Sequence, residues 1–169
     1  MRELLKQIEA GLESGLYYLS LIASLILPDI YGAIDSSSGT ASRKKYTDWF
    51  NKYVAPAYST HLGQFLTGED CYRFRCSLLH QGSSQHRQST YARYIFVEPS
   101  ATNVFMHCNI INDALNLDLK TFCKDVIAGT EKWLAEVEGT ERYQANYSRF
   151  MRRYPSGLPP YMGGIPVIS

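Results

Sequence analysis

Glu69-Asp-Cys-Tyr-Arg-Phe-Arg75-Cys-Ser-Leu-Leu-His80-Gln-Gly82 reads as one helix, and the fold and function of the chain turn on that helix. With Arg73 as zero and about 100° per residue, Cys71, Phe74 and Leu78 fall at about 100–160°, and Tyr72, Cys76 and Leu79 at about 240–300°. Arg75 sits between these two apolar groups, while Arg73, Ser77 and Gln81 occupy the opposite arc with His80 at its edge. Arg73 is thus expected to be solvated. A guanidinium at Arg75 must find a carboxylate, a carbonyl, a partner chain or a substrate anion. The plainest solution is an acid from another helix, with Glu9, Glu13 and Asp48 as candidates. Thr67 can cap the helix, with Asp70 three residues on, and Gly82 is a suitable stop.

Outward from this helix the pattern is mainly helical. Leu4, Leu5, Ile8, Leu12, Leu16, Leu19, Ile22, Ala23 and Ile26 recur at helical spacing, which predicts one long helix from about residue 3 to Leu27, ended or kinked by Pro28. A polar loop over 36–42 follows. Ser42 caps a helix through Tyr46, Trp49, Phe50 and Tyr53 that stops before Pro56. Past Gly82, residues 91–97 and 104–111 are rich in β-branched and aromatic side chains, and residues 98–103 read as the turn of a β-hairpin. His107 lies on the less apolar face of the second strand. Asn116 or Asp118 opens an amphipathic helix that ends at Gly139. A last helix over 141–154 interleaves Arg142, Arg149, Arg152 and Arg153 with Tyr143, Tyr147, Phe150 and Tyr154, a basic and aromatic patch able to meet RNA phosphates and bases. The expected architecture is therefore mainly α: a single helical domain over 1–154 with a β-hairpin insertion near 91–111, and a Pro/Gly-rich extended or disordered tail over 155–169.

Composition narrows the function classes. The chain has 169 residues, 45% apolar and 20% charged, with a net charge of +1, as expected of one globular domain with a real core. Any contact with nucleic acid must be local, because there is no global positive field. Cys71, Cys76, Cys108 and Cys123 show no tight ligand pair, so no metal and no cofactor are expected. Glu3, Glu9 and Glu13 precede the first apolar run, which does not fit the basic start of a secretory signal. The apolar run 16–27 is short for a membrane span, so a cytoplasmic protein with no membrane partner is expected.

Arg75-Cys-Ser-Leu-Leu-His80-Gln-Gly82 resembles the Arg-x4-His signature of HEPN domains, small all-helical domains of which many are metal-independent endoribonucleases in toxin–antitoxin, abortive-infection and CRISPR-associated systems. The residue after the arginine is usually polar in that family and is Cys76 here. The resemblance implies a HEPN-like helical bundle, a homodimer with the Arg75 and His80 pairs facing a shared cleft, and a toxin or antiphage defence role with an antitoxin protein as a further partner. It implies cleavage by attack of the ribose 2′-OH on the adjacent phosphorus. For that chemistry His80 suits the proton acceptor and Arg75 the fixed cation. Arg73 and Ser77 then bind phosphate, and Arg149, Arg152 and Arg153 extend the RNA-binding surface. Two alternatives stand beside this: RNA or nucleotide binding without cleavage, and a structural or regulatory protein with Arg75 in a core salt bridge.

Overall fold

The computed structural model describes residues 1–99 and 103–169. The chain opens with α1 (Arg2–Glu13) and α2 (Tyr17–Ile34), where periodicity predicts one helix. The break falls at Gly15, which takes a left-handed φ of +74° that a side chain would resist. The turn folds α2 back on α1, and the Ser20 hydroxyl donates to the Ile8 carbonyl at 3.1 Å across the pair. Pro28 does not end α2. The helix runs through it for another six residues. Leu25, Leu27, Tyr31 and Ile34 are all buried around it, and burial of about 1.5–3 kcal/mol per large side chain outweighs the roughly 3 kcal/mol that an interior proline costs. Among the described residues α2 is the one helix long and apolar enough to cross a membrane, and half of it is buried within the fold.

Helix α3 (Arg43–Tyr53) begins at Ser42, whose hydroxyl accepts from Lys45 N at 3.3 Å. A 3₁₀ turn (Ala55–Tyr58) and a short ribbon, β1 (Ser59–Thr60) with β2 (Gly63–Gln64), lead to α4 (Gly68–Gln81). The full capping box forms at Thr67 and Asp70, and Gly82 closes the helix in the left-handed conformation, φ 62°.

The predicted hairpin is where the structure departs most from the sequence reading. Strand β3 (Arg93–Val97) does not pair with the segment that follows it. It lies parallel to β5 (Ala114–Asp118), and β4 (Asn109–Ile111) pairs antiparallel with the other edge of β5, giving the order β3-β5-β4. The predicted turn over 98–103 falls partly on residues 100–102, outside the described residues. The actual hairpin turn is Asn112-Asp113, both with positive φ (50° and 61°), as a two-residue turn matching strand twist requires. Burial explains the choice. Residues 114–117 are buried throughout, so this segment takes the centre of the sheet, whereas Ile110 and Ile111 remain exposed on the edge.

The sheet belongs to the core. Phe96 of β3 stacks on Phe74 of α4 at 5.3 Å and meets Phe122 of α5 (Leu119–Val137) edge-on at 5.1 Å. On the far side of the core Tyr31 packs between Trp49 and Trp133, at 4.8 and 4.5 Å, and accepts a hydrogen bond from Thr130. The molecule is thus a mixed α/β fold with a three-stranded sheet built into its core, and the expectation of a mainly α, HEPN-like bundle carrying a hairpin insertion is corrected. After α6 (Glu141–Tyr147) the chain leaves the helix earlier than the pattern to 154 predicts. It then forms two small antiparallel ribbons, β6 (Arg153–Tyr154) with β9 (Val167–Ile168) and β7 (Gly157–Leu158) with β8 (Met162–Gly163).

Candidate functional site

The capping carboxylate of α4 anchors more than the helix start. Asp70 is buried, and its Oδ2 accepts from Thr67 N (3.1 Å) and Thr67 Oγ1 (2.6 Å). Its Oδ1 accepts from Thr90 Oγ1 (2.5 Å) and Tyr94 Oη (3.2 Å). Four donors satisfy one buried carboxylate. They tie α4 to the 83–92 loop and to β3.

That loop reverses the predicted faces of α4. Arg73 is not free in solvent. Its Nη1 donates to the Gln88 carbonyl, and its Nε lies 2.7 Å from Glu69, which also pairs with Arg43. Ser77, placed by the helical wheel on the solvated arc, is only 1% exposed, and its carbonyl accepts from Ser83 N at 3.1 Å. The Ser77 hydroxyl has no hydrogen-bond partner. Ser77 lines an open cavity of about 480 Å³ with Gln81, Gln85, His86, Arg87 and Gln88. The face left half-exposed is the one carrying Tyr72, Arg75, Cys76 and Leu79, with His80 exposed at its end.

Arg75 meets a carboxylate from another helix, and that carboxylate is Asp29, not Glu9, Glu13 or Asp48. Nη2 and Asp29 Oδ2 lie 2.5 Å apart with the two side chains 19% and 17% exposed. Asp29 is available because α2 continues through Pro28 and presents it at a helical position. The contact is close but misaligned: neither Asp29 Oδ2 nor Arg75 Nε has a partner in hydrogen-bond geometry. The other neighbour of Arg75 is Cys76 Sγ, at 3.8 Å from Nη1. Burial pushes the Asp29 carboxyl above its ordinary value, and the attraction of Arg75 opposes that rise only in part. Beside this pair α2 carries Ile22, Ile26 and Ile30, each half-exposed. The His80 side chain makes no hydrogen bond or ion pair among the described residues, and neither it nor Arg75 lines the cavity that includes Ser77.

The remaining predicted residues are elsewhere. Tyr143, Tyr147 and Phe150 form a stacked column with ring spacings of 5.1 and 5.6 Å. Arg152 lies over Tyr147 and Tyr154 and donates to Tyr154 Oη at 3.0 Å. Arg149 borders a mostly apolar cavity of about 280 Å³ with Ile30, Ala33 and Phe150, while Arg153 is exposed on β6. The basic and aromatic patch therefore exists as a column that starts on α6 and continues past its end, not as one face of a helix to 154. Comparison with protein-family models, with characterised proteins and with solved structures finds no match.

Sequence reasoning passed over one further cluster. Tyr58 donates to Asp125 Oδ2 at 3.0 Å, and the Tyr58 and His107 rings lie 5.4 Å apart. His107 Nδ1 accepts from Asp118 N at 3.2 Å, and burial pushes its imidazole below the ordinary value. Burial likewise pushes the Asp125 carboxyl up, with Tyr58 and His107 pulling the other way. These residues come from a 3₁₀ turn, a loop and α5, so no local spacing marks them as neighbours. No group of three or more His, Cys, Asp or Glu among the described residues is arranged to hold a metal ion.

Proposed function

We propose that the protein cleaves RNA without a metal ion, as a homodimer in which the α2–α4 faces of two copies pack together and bring the Arg75 and His80 pairs to one cleft. The observation that carries this reading is the placement of Arg75. It stands on a half-exposed helix face, held by Asp29 yet with Nε lacking an acceptor, and an unpartnered His80 follows five residues on. A guanidinium with a spare donor is suited to the phosphate of a substrate. In the reaction, neutral His80 takes the proton of the ribose 2′-OH as its oxygen bonds to phosphorus. Arg75 stabilises the added negative charge, and the P–O5′ bond breaks to leave a 2′,3′-cyclic phosphate and a 5′-hydroxyl. Asp29 is a positioning residue for the guanidinium. Arg149, Arg152 and Arg153 supply backbone contacts away from the reacting phosphate. The four cysteines are free thiols, as suits a reducing cytoplasm, and the resemblance of the motif extends the reading to a toxin or antiphage role with an antitoxin partner.

A second reading has its own support. The Arg75–Asp29 ion pair is what a structural arginine makes, and it leaves a non-catalytic or regulatory protein in contention. Incubation of purified protein with mixed RNAs in EDTA separates the two. The expected result is cleavage that persists in EDTA and is lost in both Arg75→Ala and His80→Ala while each variant keeps the wild-type circular dichroism spectrum. Absence of cleavage by the wild type, or undiminished cleavage by either variant, rejects the catalytic assignment.

A further inference from the structure

The cavity between the C-terminal half of α4 and the 83–90 loop is a second feature of the same helix, on its other side. The side chains that line it are all of polar residues, and at about 480 Å³ it has the size of an ordinary small-ligand site. The loop that makes it is pinned at both ends. Ser83 N donates to the Ser77 carbonyl, and Arg73 Nη1 and Thr90 Oγ1 reach Gln88 and Asp70. Inside the loop Gln88 N donates to His86 Nδ1 at 3.1 Å. That bond leaves the proton of the neutral imidazole on Nε2, as a donor. Arg87 is exposed and forms no ion pair among the described residues. Ser77 is also a lining residue, and its hydroxyl is buried with no partner.

An orphaned buried hydroxyl is a standing cost to the fold unless a ligand relieves it. Arg87, His86 and Ser77, which line the cavity together, carry donors of the kind that hold a phosphate. The side-chain amides of Gln81, Gln85 and Gln88 each offer both donor and acceptor, which suits sugar hydroxyls and base edges. We infer that this cavity binds one nucleotide unit, its phosphate on Arg87, His86 and Ser77 and its sugar and base edge on the glutamine amides. The inference rests on the reading of the protein as one that acts on RNA, for which the cavity is a substrate subsite on the opposite side of α4 from Arg75.

The test uses the full chain and a fluorescein-labelled 2′-O-methyl RNA oligomer, which has no 2′-hydroxyl to attack and stays intact whether or not the protein is a nuclease. Anisotropy titration is expected to show binding that Arg87→Ala weakens about tenfold, with the salt slope reduced by about one. Ser77→Ala is expected to weaken binding several-fold while leaving urea stability equal or higher, since it removes an unmatched polar group. Adenosine 5′-monophosphate as competitor distinguishes the sources: displacement at millimolar levels shows that a free nucleotide suffices, and lack of displacement shows that the unit must be part of a strand. No binding of either probe, or binding that both variants leave unchanged, overturns the inference. Loss of cleavage in Arg75→Ala with oligomer binding retained reports on the other site alone.

Discussion

The Arg75–Asp29 pair permits a quantitative test of how much of this arginine is structural. Two unit charges about 4 Å apart at an effective dielectric near 20 attract by about 4 kcal/mol. Each side chain here is less than a fifth exposed, so both have lost most of their hydration. Desolvation and the misaligned contact cancel about half of that attraction, leaving a coupling of about 2 kcal/mol. Asp29→Asn keeps the shape but leaves a half-buried guanidinium uncompensated, and is expected to cost about 2–3 kcal/mol. Arg75→Met keeps length and removes the charge. Its cost depends on pH, because the Asp29 carboxyl, already pushed up by burial, rises further without the arginine. A carboxyl whose folded pKa exceeds its unfolded value destabilises the fold above the folded pKa. The penalty is relieved as pH falls through that value toward the unfolded one. The variant is therefore expected to lie further below wild type at about pH 7.5 than at about pH 5, and the Asp29→Asn/Arg75→Met double variant to lose that dependence. Urea denaturation of the four proteins at both pH values, with m-values compared, gives the cycle. A coupling below about 0.5 kcal/mol at neutral pH, or an Arg75→Met deficit that does not shrink on acidification, refutes the argument that a partly buried ion pair organises this face.

Two further outcomes follow from other parts of the fold. Asp70→Ala unpairs the Thr67, Thr90 and Tyr94 hydroxyls and removes a helix cap, and is expected to cost about 3–5 kcal/mol in urea denaturation. Asp70→Asn should cost about 1–2 kcal/mol, because its oxygen can keep the Thr67 backbone N–H while the two hydroxyls on the other side turn to accept. Leu79→Asp, on the half-exposed face of α4, is expected to leave stability within about 0.5 kcal/mol of wild type but to shift the protein from dimer to monomer in sedimentation velocity. A wild-type protein that already sediments as a monomer at assay concentration argues against the shared cleft.

The elements legible in advance are those whose decisive contacts are short-range. Ser42, Thr67 with Asp70, and Asp118 cap the helices that follow them, because a cap needs only a side-chain oxygen and a backbone N–H two or three residues on. Gly82 stops α4 for an equally local reason. The break at Gly15 and the passage of α2 through Pro28 went the other way from the pattern. At Gly15 the left-handed backbone of glycine broke the periodic run, and at Pro28 the burial of Leu25, Tyr31 and their neighbours outweighed backbone preference. Asn112-Asp113 is a hairpin turn signal that the sequence does contain, obscured by the stronger strand character of 91–97 and 104–108.

At the candidate site the division is the same. Sequence alone singled out Arg75 as a charge among apolar neighbours, separated it from Arg73, and set His80 at the end of the same helix, since these follow from the helical repeat. It could not say which side of α4 would be covered. The 83–90 loop settles that by burying Ser77 and binding Arg73, which leaves the Arg75 side toward solvent or a second chain. Nor could it choose Asp29, 46 residues away, over three other acids, or pair β3 with β5 across the intervening β4. Those outcomes depend on long-range packing, in which the segment that can bury the most apolar surface takes the centre and the polar groups are left to find partners around it.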